Sequence, residues 1–110
     1  MSVPFSQFAD LQIVIGTITE ASIVPEADRL LKLLVDVGEE APRQVISGIR
    51  DHVSDEQSLV GTQCAFVINL EPRTIRGYES QGMILAAHTN EAFSLLVPSA
   101  EGLPAGTPVR

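Results

Sequence analysis

The stretch Leu11-Gln-Ile-Val-Ile-Gly-Thr-Ile-Thr-Glu-Ala-Ser-Ile-Val24 is dense in β-branched residues: Ile13, Val14, Ile15, Thr17, Ile18, Thr19, Ile23 and Val24. Such residues fit the pleated, half-buried surface of a strand. The stretch is longer than an ordinary strand, and Gly16 interrupts it. A long strand bent at a glycine or a bulge is the natural solution, and small barrels need such a bend.

Outward from this strand, Pro25–Asp28 reads as a turn, Leu30–Val37 as a second strand and Gly38–Pro42 as a hairpin loop. Gln44–Ile49 reads as a third strand. Asp51–Gly61 has helical character: Ser54 and Gln57 have capping-box spacing, Asp55 and Glu56 suit a first turn, and Gly61 suits a stop. Thr62–Leu70 reads as a fourth strand, Glu71–Gly82 as a polar loop, Met83–His88 as a fifth strand and Phe93–Val97 as a shorter sixth. From Pro98 onward, three prolines and two glycines predict an ordered but irregular tail. A short helix between the third and fourth of five strands, followed by an extension, is the layout of the OB-fold, an all-β Greek-key barrel. Another all-β barrel or a sandwich suits the composition almost as well.

Composition agrees with one packed domain over residues 1–110. The chain has 45% hydrophobic and 19% charged residues, which excludes disorder. Seven basic residues face fourteen acidic ones, giving a net charge of -7. That excludes a nucleic-acid binder working by bulk charge. The single cysteine, Cys64, excludes an internal disulfide and suits a reducing compartment. The apolar runs fall far short of the roughly 20 residues that cross a bilayer, and the N-terminus does not read as a signal peptide. These features predict a cytoplasmic protein.

Few residues suggest chemistry. His52 and His88 stand 36 residues apart without ligand-type neighbours, so no metal and no cofactor is expected. Cys64 lies in an apolar strand, where a thiol acts as a small hydrophobe. No phosphate loop or dinucleotide fingerprint is present. The unusual segment is Asn69–Met83, which concentrates Asn69, Arg73, Arg76, Tyr78, Ser80 and Gln81. Arginines supply forked donors suited to phosphate, and glycines let a ligand approach the backbone. In an OB-fold this loop lies on the usual ligand rim. An ordinary polar loop, with Arg73 and Arg76 paired to Glu71 and Glu79, is the competing reading.

Asn69-Leu70, Pro72-Arg73, Arg76-Gly77 and Glu79–Ala87 resemble the signature of the tRNA-binding domain, found in methionyl-tRNA synthetases, free-standing tRNA-binding proteins and CsaA chaperones. Phe8-Ala9, Gly16–Ile18, Pro25–Leu30, Val35–Gly38, Pro42-Arg43 and Val45–Ile49 agree in the same order. The chain's size is similar to that of the CsaA-type or stand-alone members. The resemblance implies an OB-fold that dimerises through its terminal segments. It implies that Asn69, Arg73, Arg76, Ser80 and Met83 line an RNA site, with Ser47 nearby. Gln12, Val14 and Val24 depart from the charged residues usual in the family. The functions implied are non-catalytic, shape-dependent tRNA binding by a homodimer or, alternatively, CsaA-like binding of unfolded or export-destined polypeptides. If Arg73 and Arg76 engage RNA together with Arg43 or Arg50, about four to eight phosphates are neutralised per dimer.

Overall fold

The computed structural model describes residues 1–110. A short helix, α1 (Phe5–Ala9), precedes β1 (Ile13–Ile23), β2 (Leu31–Asp36) and β3 (Arg43–Ser47). Two 3-10 turns lead to β4 (Gln63–Val67), and a hairpin follows, formed by β5 (Arg73–Ile75) and β6 (Tyr78–Ser80). The chain ends with β7 (Met83–Ile84), β8 (Ala86–His88), β9 (Phe93–Leu95) and β10 (Thr107–Pro108).

β1 is the organising strand. Its first half, Ile13–Thr17, pairs with β4, and its second half, from Thr17 to Ile23, pairs with β2. The register slips between Ile18 and Glu20, so a bulge makes the bend that lets one strand serve both sides of a barrel. Gly16 has a different reason to be glycine. A Cβ there would lie 2.7 Å from Val35 Cγ1 and 2.8 Å from Phe66 Cδ1, so the strand passes directly over packed core side chains.

The main sheet runs β3-β2-β1-β4-β7. The free edge of β3 meets the segment before β7. The Gln81 N–H donates to the Gln44 carbonyl (2.8 Å), and the Gln44 N–H donates to Gln81 Oε1 (2.9 Å). These bonds nearly close a five-stranded OB barrel. Its interior follows strand alternation: Leu31, Leu33 and Val35 of β2 are buried, while Lys32, Leu34 and Asp36 face outward and are half-buried. Ile18, Val45, Cys64 and Phe66 complete the centre, and truncating a ring such as Phe66 would cost about 3–5 kcal/mol.

Several details differ from the sequence expectation. The helix expected over 51–61 is two separate 3-10 turns, Arg50–His52 and Glu56–Leu59. Half-buried Val53, extended and packed on the core, separates them. The Ser54 capping box does not form. Asp55 Oδ1 instead accepts the Gln57 N–H (3.0 Å), and the Gln57 side chain donates to the Ala21 carbonyl of β1 (2.8 Å). The fifth strand leaves the barrel at Leu85, and its outer part pairs with β9 as a separate hairpin.

The tail is also more regular than expected. β10 pairs with Val14 and Ile15 of β1, covering the edge that β2 leaves open. It docks through a glycine seam, where a Cβ on Gly106 (φ +90) would lie 2.5 Å from the Val37 carbonyl oxygen. The sequence predicts no element before Leu11; the structure has α1 there, without one buried residue.

Candidate nucleic-acid interface

The segment read as a polar loop is largely a hairpin. Arg73 pairs with Ser80, Thr74 with Glu79 and Ile75 with Tyr78. The connecting residues Arg76 (φ 53) and Gly77 (φ 84) both have positive φ, as a two-residue type I′ turn requires. Cross-strand partners share a face. Arg73, Ile75, Tyr78 and Ser80 therefore line one side of the hairpin, and Thr74 and Glu79 the other.

Ser80 decides which side faces the barrel. Its buried hydroxyl accepts the Ile46 N–H (3.0 Å) and donates to the Gly82 carbonyl (3.0 Å). The hairpin is thus fastened along β3. Beside Ser80 lies a cavity of about 80 Å³ whose walls are apolar at Ile46, Leu70, Ile75 and Met83 and charged at Glu71 and Arg73. Met83 is 46% exposed, the most accessible apolar group of this wall. Arg73 and Arg76 are exposed and make no side-chain hydrogen bond or ion pair within the chain.

The cations are unequally committed. Arg43 donates from Nε and Nη2 to the two Glu39 carboxylate oxygens (2.8 and 2.9 Å). Its Nη1 donates to the carbonyls of Ile68 (2.7 Å) and Gln81 (2.9 Å). Arg43 therefore rivets the β2–β3 loop to both ends of the segment that carries the hairpin. The hydrogen bonds from Arg43, more than its charge alone, hold the Glu39 carboxyl below its ordinary range, and the arginine is raised in turn. Arg29 lies 3.5 Å from Asp51 in an exposed pair. Of seven cations, five remain without an acidic partner: Lys32, Arg50, Arg73, Arg76 and Arg110. Expected pairing of Arg73 and Arg76 with Glu71 and Glu79 is absent.

The remaining expected site residues take other positions. Asn69 is engaged at both ends of its amide: Oδ1 accepts the Gln12 N–H (2.7 Å) and Nδ2 donates to the Asp10 carbonyl (2.7 Å). It ties the N-terminal segment to the end of β4. Ser47 is buried and pairs with core residue Leu31, which puts it on the opposite face of β3 from Ile46. Val14 and Val24 are core residues, 8% and 1% exposed.

Two clusters escaped the sequence. The two histidines come together, with ring centroids 5.4 Å apart, and His52 stacks on Phe93 at 4.4 Å. No group of three or more potential metal ligands forms. Lys32 Nζ lies 5.4 Å from the Tyr78 ring centroid. Burial pushes the Cys64 thiol up to about 12, far from the thiolate a nucleophile needs. Away from the hairpin, Phe5, Phe8, Leu11, Val14, Pro108 and Val109 line a terminal groove of about 400 Å³.

A nearly closed OB barrel with partnerless arginines on a hairpin beside a partly apolar cavity defines a small β-barrel binding module. The chain belongs to the tRNA-binding domain family: the family model described as "Putative tRNA binding domain" matches residues 13–108. It is 45% identical over 108 residues to a methionine–tRNA ligase of Methanothrix thermoacetophila, covering 98% of this chain and 16% of that protein. Among solved structures it is similar to a MetRS-related protein from Pyrococcus horikoshii (32% identity, TM-score 0.90, 100% of this chain and 99% of that one). It is also similar to the chaperone CsaA from Bacillus anthracis (29% identity, TM-score 0.87, the whole of both chains). The chain spans 16% of the length of the first curated relatives it matches. No helix is long and apolar enough to cross a membrane.

Proposed function

We propose that this chain is a non-catalytic tRNA-binding module of the cytoplasm, recognising RNA shape rather than sequence. The observation that carries the reading is the pair of exposed, partnerless arginines on a hairpin that walls a partly apolar cavity, in a chain whose net charge is -7. Arg73 and Arg76 supply donors to phosphate. Met83, over Ile46, Leu70 and Ile75, offers an adaptable apolar surface to an unstacked base. Ser80 and Asn69 act by holding the hairpin and the N-terminal segment, since their polar atoms are engaged inside the fold.

The active unit in this proposal is a homodimer built on the terminal groove. A five-residue helix with no buried residue has no stability of its own. Phe5 is 79% exposed and Phe8 43%; a second copy laid against them would order the helix. Two copies also double the phosphate contacts available to one tRNA. The test is a titration of Arg73→Ala/Arg76→Ala against wild type with unfractionated tRNA: affinity falls while the melting temperature holds. Unchanged affinity would remove this site.

A second reading, CsaA-like binding of unfolded polypeptide, draws on the similarity to CsaA and on one observation. β5 pairs only with β6, so its outer edge is open beside apolar Ile75 and could accept an extended peptide. Suppression of aggregation that tRNA does not compete away would favour it.

A further inference from the structure

Lys32 is the only lysine in the chain. It is the second residue of β2, between core residues Leu31 and Leu33, on the outer face of the barrel. There it pairs in register with Ile46 of β3, which floors the cavity under the hairpin. One strand spacing, about 4.8 Å, separates the two backbones. Tyr78 comes from the hairpin's inner face, and its ring lies 5.4 Å from the Lys32 ammonium. A cation over a ring face is held in place by the ring quadrupole. No carboxylate pairs with this ammonium, although acidic residues outnumber basic ones fourteen to seven. It is half-buried, so part of its hydration is already lost.

An ammonium that is oriented, partly desolvated and without an internal anion is suited to an anion brought from outside. We infer that Lys32, positioned by Tyr78, forms a phosphate subsite next to the base cavity and extends the RNA track from the hairpin across β2. The inference rests on the tRNA-binding reading above and adds a contact outside the segment that reading uses. Lys32 takes the phosphate as a point charge; Tyr78 is a positioning residue.

The test measures binding of unfractionated tRNA to the full chain at several salt concentrations. Lys32→Met keeps the stem against Tyr78 and removes the charge. The slope of log Kobs against log salt should fall in magnitude by about 0.7–0.9 per site, with the melting temperature unchanged. Lys32→Arg should restore the slope. Tyr78→Leu should weaken affinity several-fold while keeping the slope, because the charge remains but is no longer held.

Reductive methylation with labelled formaldehyde gives a readout independent of mutation. Lys32 and the N-terminal amine are the only targets, and tRNA should protect the first and not the second. In wild type the Lys32 methyl resonances should be shifted by the Tyr78 ring, and Tyr78→Leu should abolish that shift. If Arg73→Ala weakens binding while Lys32→Met changes neither slope nor affinity, the Lys32 subsite is wrong and the hairpin site stands. If wild type shows no saturable tRNA binding, the functional reading falls and the subsite with it. Protection of Lys32 by an unfolded acidic polypeptide but not by tRNA would also overturn it.

Discussion

Replacing Ser80 with alanine removes a single oxygen that two backbone groups share. The Ile46 N–H loses its acceptor and the Gly82 carbonyl loses a donor, both at a site where Ser80 is 7% exposed. A buried N–H left without a partner costs about 1–3 kcal/mol, and the second bond adds about 0.5–1.5 kcal/mol. A loss of about 2–3 kcal/mol would lower the melting temperature by about 10 °C in a domain near this size. Thermal unfolding followed by circular dichroism reads this directly. tRNA affinity should fall as well, because the hairpin that carries Arg73 and Arg76 is no longer fastened to β3. The salt dependence of binding should persist, because no cation has been removed. If Ser80 touched RNA and had no fastening role, the variant would keep its melting temperature and lose affinity. That result would refute the reasoning.

Other perturbations test other joints. Gly106→Ala puts a Cβ against the Val37 carbonyl at a positive φ, which should cost about 1–3 kcal/mol in denaturant unfolding; an unchanged midpoint would mean the tail seam is not tight. Phe5→Ser/Phe8→Ser should convert a dimer to monomer in sedimentation, and identical masses would remove the terminal groove as the interface. Arg43→Gln breaks four donor contacts and should lower both melting temperature and tRNA affinity; a change in affinity alone would make Arg43 an RNA contact. The Glu39 carboxyl is depressed in the folded state by its hydrogen bonds to Arg43. Its contribution is therefore present above the unfolded-state titration, near pH 4.3, and disappears as pH falls through the lower folded value. Wild type and Glu39→Gln should converge in stability at low pH, with a small gap at neutral pH because the Glu39 carboxylate is exposed to solvent.

The barrel was legible because its strands obey strong local rules. β1 announced itself by β-branched residues, and alternating burial along Leu31–Asp36 follows a simple period of two. Elements held by tertiary contact were less legible. The hairpin strands are three residues each, too short to show a period, and the positive φ of Arg76 and Gly77 that turns the chain appears only in the structure. β10 and its pairing with Val14 and Ile15 depend on a non-local glycine seam. The 51–61 segment carried genuine capping residues, yet the burial of Val53 divided it.

The site showed the same split. Arg73 and Arg76 stood out by residue type and Met83 through the family resemblance; the fold brings Arg73 and Met83 to one cavity. Asn69 and Ser80 look alike in sequence whether they bind a ligand or a backbone, and only the fold shows their partners. Lys32 had one local signal, a lone lysine inside an apolar strand. Its neighbour Tyr78 is 46 positions away.

The central claim is that a few placed cations, acting against an unfavourable net charge, bind tRNA on the hairpin face. The most direct measurement is the salt dependence of tRNA binding by the wild-type chain, with mass determined in the same solution. Lys32, Arg73 and Arg76 engaged per protomer predict saturable binding with a log–log slope of about −2 to −3 per protomer, roughly double for a dimer on one tRNA. A slope near zero, or binding that never saturates, would contradict it.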